Sequence, residues 1–300
     1  MTDRTDTAAP AAPEVPAGAA GRFTFPGTAL AVNRLGYGTM QLAGPHVFGP
    51  PADPDGCRAV LREALALGVD HVDTSDYYGP HVVNELVREA LHPYPEGLVL
   101  VTKVGARRDE RGEWILDREA GFLRRSVEDN LARLGLARLD IVNLRMGGPE
   151  DDVVAPMRAM RAMREEGLLG HVGISNVTAE QVRRARDVAD IVCVQNHYNL
   201  VRRDDDALVD ALAEDGIAYV PFFPLGGFTP LQAEGLADVA AGLGVSAQRV
   251  ALAWLLHRSP NILKIPGTSR REHLRDNVAA AALALDAATL ARLDGLAAAA

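Results

Sequence analysis

The chain has 300 residues and a mass of 32.0 kDa, enough for two ordinary domains or one large α/β barrel. At 48% hydrophobic and 24% charged it has ordinary globular composition, which excludes a mainly disordered chain. A formal net charge of −9, a pI near 5.4 and no basic run exclude a natural grip on nucleic acid or an anionic membrane surface.

Residues 1–20 are rich in Ala and Pro and lack aromatics, so they read as a disordered tail ahead of a single barrel domain over 21–300. Acidic residues and prolines stand there in place of the apolar run of a signal peptide, and no later stretch approaches ~20 continuous apolar residues. Two isolated cysteines, Cys57 and Cys193, belong to no CxxC or Cys/His cluster. Neither a disulfide nor a metal site is expected, and the expected location is the cytoplasm.

A short hairpin is predicted over 23–28 and 29–32, and then a regular alternation begins. Strand-type runs fall at 35–39, 70–74, 98–103, 139–145, 170–174, 191–195, 217–222 and 262–266. Amphipathic stretches lie between them. Residues 57–67 carry Val60, Leu61, Ala64 and Leu65 on one face; 122–134 carry Leu123, Val127, Leu131 and Leu134. A third begins near Val177, where Thr178 and Gln181 have the spacing of a capping box. Strand, helix, strand without consecutive hairpins implies parallel strands joined by helical crossovers. Eight such units over roughly 260 residues predict an α/β fold of the (β/α)8 TIM-barrel type, with an N-terminal hairpin and extra C-terminal helices. The alternative, an open doubly wound sheet, would carry a third glycine after Gly36-x-Gly38 at the dinucleotide-binding offset, and none is there.

Barrel chemistry sits at the C-terminal strand ends. Asp73, Lys103, Asn143, Arg145, Ser175, Asn176, Gln195 and Tyr198 all fall there or just beyond. Lys103 and Lys264 are the sole lysines in a chain whose other basic residues are all arginine, so each is either a chance survivor or the mark of a place where a compact ammonium of tunable pKa suits better than a guanidinium. A carboxylate (Asp73) beside a lysine keeps the ammonium charged. That ammonium, beside the phenol of Tyr78, is expected to draw the phenol below its reference value of ~10 and ready it to exchange a proton with a carbonyl oxygen. A structural Asp73–Lys103 ion pair with Tyr78 as a plain loop aromatic is the other reading of the same residues.

Seven segments in order carry a resemblance: Leu35-Gly36-Tyr37-Gly38-Thr39-Met40, Gly68 through Gly79, Thr102-Lys103, Gly173-Ile174-Ser175-Asn176, Gln195-x-x-Tyr198-Asn199, Pro224-Leu225-Gly226 and Ile265-Pro266-Gly267-Thr268. Together they resemble the aldo-keto reductase superfamily from about residue 22 to the C-terminus. The resemblance implies a nicotinamide-dependent oxidoreductase that reduces a small-molecule aldehyde or ketone to an alcohol. It gives Asp73, Tyr78 and Lys103 the catalytic positions. It also implies that Ser175, Asn176 and Gln195 hold the nicotinamide carboxamide, that Tyr198 stacks on its ring, and that Gly38, Thr39, Met40, Asp73, Pro224, Leu225 and Gly226 line the cofactor's path. Gly267, Thr268, Ser269, Arg270, His273, Asp276 and Asn277 fall at the adenosine-phosphate end, with Arg270 placed for a 2′-phosphate. NADPH is the expected cofactor and NADH remains open, because His273 and Gly267 replace basic residues found in many relatives.

One departure stands out. The family usually places a histidine on the fourth strand, and this chain has Arg145 there. Arg145 is counted with the catalytic set as a carbonyl orienter or oxyanion stabiliser; pairing with an anionic substrate and a degenerate site are the other readings. A cofactor-binding sensor with little turnover and a phosphate-handling barrel isomerase are the competing functions. Trp114, Met146, Phe48 and Phe223 are expected to wall the substrate pocket, and Phe222 and His171 to belong to the core. Lys264 is left between a phosphate contact and structure, and Arg271 and Arg275 between contact and a solvated face. The particular substrate and the oligomeric state stay open.

Overall fold

The computed structural model describes residues 16–227, 231, 233 and 235–296. Of the expected tail, residues 1–15 lie outside the described residues. The rest of it is corrected: Ala17–Ala20 form a turn of 3-10 helix, with Ala17 and Ala20 buried and the Ala17 N–H donating to Leu67 O at 2.8 Å. Small side chains that read as low complexity let this backbone lie close against its neighbours.

The predicted hairpin forms from β1 (Arg22–Thr24) and β2 (Ala31–Asn33), antiparallel. Then come β3 (Tyr37–Gly38), α1 (Pro54–Ala66), β4 (His71–Asp73), α2 (Val82–Leu91) and β5 (Val99–Val104). A second hairpin, β6 (Ala106–Arg108) and β7 (Trp114–Leu116), precedes α3 (Ala120–Leu134), β8 (Leu139–Arg145), α4 (Val154–Glu165) and β9 (Leu169–Ser175). The chain continues through α5 (Ala179–Arg186), β10 (Ile191–Gln195), α6 (Asp206–Glu214) and β11 (Ala218–Tyr219). It ends with α7 (Leu236–Leu243), α8 (Ala247–Arg258), α9 (Arg271–Ala279) and α10 (Ala287–Leu296). No single helix among the described residues is long and apolar enough to cross a membrane.

Local chemistry explains the helix ends. The Asp53 carboxylate accepts from Gly56 N at 2.9 Å, and Pro54 supplies a pre-set φ for the first turn of α1. The capping box read from Thr178 and Gln181 is present at α5.

Seven parallel strands run in the order β11-β10-β9-β8-β5-β4-β3. The eighth predicted strand is reduced to isolated parallel bridges, Tyr219↔Ile262 on one side and Leu35↔Lys264 on the other, which close the curled sheet into the barrel. Closure depends on two glycines. A Cβ on Gly38 would stand 2.5 Å from Ile265 O, and one on Gly267 2.6 Å from Gly38 O. The predicted run at 217–222 is likewise shorter than expected, because Pro221 has no N–H to give to the ladder.

Period-two alternation sorts the strand residues into two cores. Val99, Val101, Ile141, Cys193, Ala218, Val220, Leu263 and Ile265 fill the barrel interior together with Phe25 from the hairpin. Their chain neighbours Val72, Leu100, Val142, Leu144, Val194 and Tyr219 belong to the outer core with the helices.

One expectation about a basic residue is corrected, and one alternative left open is decided. His171 is half-buried beside Pro26 and Gly27, not a core residue. The histidine in the barrel interior is His71, edge-on to Phe25 at 6.4 Å, with neither ring nitrogen hydrogen-bonded. Lys264 is fully buried and donates to Leu252 O of α8 at 3.0 Å; burial pushes its pKa well down, so it is structural and no phosphate ligand.

Candidate active site

The same alternation carries the strands' inner face from apolar to polar as they reach their C-terminal ends. Asp73 follows His71 by two, Lys103 follows Val101, Ser175 follows Gly173, Gln195 follows Cys193, and Arg145 ends the series Ile141, Asn143, Arg145. Register brings them level: Asp73 pairs with Val101, Lys103 with Asn143, and Ser175 with both Arg145 and Gln195.

Lys103 and Asp73 are 4% and 2% exposed and form an ion pair through Nζ and Oδ1. Nζ also donates to Thr74 O at 3.0 Å, and Asp73 Oδ2 accepts from Gln195 Nε2 at 2.6 Å. The carboxylate is thus fully engaged, as a buried charge must be.

Tyr78 enters on the loop after β4, with Lys103 Nζ 5.4 Å from its ring centroid. Its hydroxyl makes no hydrogen bond among the described residues. The expected depression of its pKa is corrected. Burial raises the pKa and nearby Asp73 raises it further, while Arg145 is the cation that opposes them. The Lys103 ammonium is held by Asp73 and Thr74 instead of bonding to the phenol oxygen, so it does not offset desolvation. Tyr78 therefore holds its proton. The loop beneath it is tied by Asp76, whose buried carboxyl accepts from Ser126 Oγ and, at 3.4 Å, from Ser75 Oγ; burial pushes Asp76 up to about 7.

The guanidinium of Arg145 lies 5.1 Å from the Phe222 ring centroid and donates to Ser175 Oγ at 3.5 Å. It has no carboxylate partner among the described residues. Phe222 in turn stacks on His197, with centroids 5.6 Å apart and planes at 22°.

A cleft of about 630 Å³ opens over this group, lined by Gly38, Thr39, Met40, Asp73, Tyr78, Lys103, Phe222, Phe223, Pro224 and Leu225, with Gly267 at its edge. A second cleft of about 750 Å³ shares Leu225 and Gly267 with it and continues past Thr268, His273, Asp276 and Asn277. The two form one trough from Tyr78 to α9. Asp276 lines it with its carboxylate already held by Arg249 at 2.5 Å and by Ser246. Ser269 and Arg270 are exposed beside the trough without lining it. Arg271 and Arg275 both pair with Glu63 of α1 while staying 57% and 47% exposed, so they form a solvated helix face with a surface ion pair and line neither cleft.

Several other expectations change. Tyr198 cannot stack on a ligand in the mouth: its ring is fully buried against Trp254 and Tyr219, and its hydroxyl donates to Asp206 at 2.6 Å. Phe222, expected in the core, is the aromatic face of the cleft. The signal was present in the alternation, since 218, 220 and 222 share a parity, but which parity points inward is set by the barrel. Gly226 makes a turn with φ 95°, and Gly227 lines the cleft in its place. Asn176 is left-handed (φ 60°) and donates its amide to Met146 O and Gly147 O, leaving only Oδ1 to accept from a ligand. Met146 is fully buried and walls nothing. Trp114, 46% exposed, covers Tyr77 edge-on at 5.5 Å, and its other neighbour is Arg108, which also lies over Phe48.

A bound nicotinamide group can be tested against atoms left over. Among the buried side-chain atoms without a hydrogen-bond partner are Gln195 Oε1 and Thr39 Oγ1, both at the mouth. A carboxamide N–H answers the first, and Phe222 offers a flat apolar face to the ring. The residues present fit the group.

The chain also resembles known proteins. The model of the aldo/keto reductase family matches residues 34–298. Pyridoxine 4-dehydrogenase of Escherichia coli (strain K12) is 57% identical over 279 residues, covering 91% of this chain and 98% of that protein. Among solved structures, a thermostable aldo-keto reductase crystallised with the inhibitor epalrestat superposes with a TM-score of 0.79 at 28% identity, over 92% of this chain and 99% of that one. An aldo-keto reductase of Klebsiella pneumoniae in complex with NADPH gives 0.74 at 25% identity, over 89% and 91%.

Proposed function

We propose, from the premise that this chain belongs to the aldo/keto reductase family and is an oxidoreductase, that it interconverts a pyridoxal-type aldehyde and the corresponding alcohol with NADPH as hydride donor. The observation that carries the reading is the buried Tyr78 phenol, proton-bearing and with an unbonded hydroxyl, set in one cleft with the Lys103–Asp73 pair. The E. coli relative's activity supports the substrate class, and the NADPH complex of the Klebsiella protein supports the cofactor.

The dinucleotide would supply hydride to the carbonyl carbon. Gln195 Oε1, Ser175 and Asn176 Oδ1 would hold its carboxamide, and Phe222 would set the plane of its ring. Tyr78 gives its Oη proton to the carbonyl oxygen as the alcohol forms. Burial, which keeps that proton in place beforehand, also makes the resulting phenolate expensive; Arg145 nearby offsets part of that cost. Asp73 holds Lys103 in position. In the reverse direction the tyrosinate takes the proton from the alcohol. At the far end Thr268, His273 and Asn277 would face the adenosine half. Arg270, without an ion pair among the described residues, would reach a 2′-phosphate.

The test is NADPH consumption with pyridoxal, and the reverse reaction with pyridoxine, for the wild type and Tyr78→Phe. Turnover should fall by ~10²–10⁴-fold in the variant with its melting temperature kept. Undiminished turnover in a folded Tyr78→Phe protein would remove the phenol from the reaction. Tighter binding of NADH than NADPH would overturn the cofactor.

A further inference from the structure

The cleft is lined by one carboxylate and one cation, and a second cation, Arg145, stands beside it against the lining ring of Phe222; the carboxylate is already taken. Asp73 pairs with Lys103 and accepts from Gln195, which leaves Arg145 half-buried with a single long bond to Ser175 and no counter-ion among the described residues. A partly desolvated charge without a partner is unfavourable, and a ligand that brings the missing anion recovers that free energy on binding. The guanidinium is also held in place. It lies on Phe222, and Phe222 is itself stacked on His197. Most of its five N–H donors therefore remain for a ligand.

We propose that Arg145 determines specificity by pairing with an oxyanion on the ring carbon next to the reacting carbonyl, so that the site selects aromatic aldehydes bearing an ionised ortho-hydroxyl over carbonyls in general. This rests on the reading that the mouth reduces an aldehyde. Arg145 can donate to two oxygens at once, whereas a neutral histidine in its place has one N–H. Two consequences for the reaction follow from ordinary carbonyl chemistry. A neutral ortho-hydroxyl would donate to the aldehyde oxygen and compete with Tyr78 for it; as a phenolate paired with Arg145 it does not. An unpaired phenolate would push electron density into the carbonyl and slow hydride arrival, and the guanidinium draws that density back.

The experiment compares kcat/KM for pyridoxal and for its analogue lacking the ring hydroxyl, in the wild type, Arg145→Lys and Arg145→Gln. The wild type should prefer the hydroxylated aldehyde by at least about tenfold, the scale of one charge-assisted bond. Arg145→Lys should keep part of that preference, and Arg145→Gln should lose it. Binding gives a second readout: 4-deoxypyridoxine, which keeps the ring hydroxyl but has no oxygen at the reacting carbon, should bind the NADP+-loaded wild type about tenfold tighter than Arg145→Gln by calorimetry.

Equal losses for both aldehydes in Arg145→Gln, with 4-deoxypyridoxine affinity unchanged, would make Arg145 a carbonyl orienter; they would overturn this inference and leave the proposed function standing. A preference that follows a phosphate ester elsewhere on the ring, and ignores the ortho-hydroxyl, would overturn it as well. A wild type that reduces neither aldehyde with either dinucleotide would bring down the proposed function, and this inference with it.

Discussion

The two ends of the barrel interior are built on the same inward-facing strand positions and have opposite chemistry. At the lower end Phe25 from the hairpin plugs a space lined by Val99, Ile141 and Leu263, and even the histidine there, His71, has no hydrogen-bond partner. A few residues further along the same strands stand Asp73, Lys103, Arg145 and Gln195, which share ion pairs and hydrogen bonds or wait for a ligand. One strand thus supplies packing at its start and a charged group at its end: Val99 and Val101 lead to Lys103, Ile141 to Arg145. On the proposed function, changes at the lower end should cost stability alone, and changes at the upper end should cost activity too.

Lys103→Met should break this division most severely. It strands the Asp73 carboxylate without a counter-ion, so unfolding free energy should drop by about 3–5 kcal/mol and carbonyl reduction should fall with it. Denaturant titration and steady-state rates on the folded fraction separate the two effects. Phe25→Ala is the matching change below. It should also lose about 3–5 kcal/mol, with kcat/KM per folded molecule nearly unchanged. A large catalytic loss in Phe25→Ala would show that the plug also shapes the mouth, and the comparison would fail.

Two buried titrating groups sharpen the contrast through pH. Asp76, near the mouth, has a native pKa of about 7 against ~3.9 unfolded, so the native state holds the extra proton between those values. Its contribution is full below the unfolded pKa and is lost as pH rises through about 7. Asp76→Asn, which mimics the protonated form, should flatten that decline in denaturation midpoints between about pH 4 and 7. His71 tilts the other way. Burial lowers its native pKa, so its contribution is present above the unfolded value of ~6.5 and is lost as pH falls through the depressed native pKa. His71→Leu should reduce acid sensitivity below about pH 6 with rates at neutral pH little changed, the smallest effect of the four. Unaltered pH slopes in both variants would mean that neither group titrates on folding.

Much of this molecule was legible before any coordinates. Alternating strand and helix signals, Thr178 as a cap, and a hairpin ahead of the first barrel strand all rest on interactions between residues close in the chain, and all are present. The convergence of Asp73, Lys103 and Gln195 could be anticipated as well, since parallel strands deliver their C-terminal ends to one rim. Tertiary structure decided which of Tyr198 and Phe222 faces the mouth, because parity selects a face only once the strand's register in the closed barrel is set. It also decided that Lys264 is buried structure, and that Tyr78 keeps its proton instead of shedding it. Those outcomes depend on how much water and how many charges surround a group, and groups distant in sequence supply both.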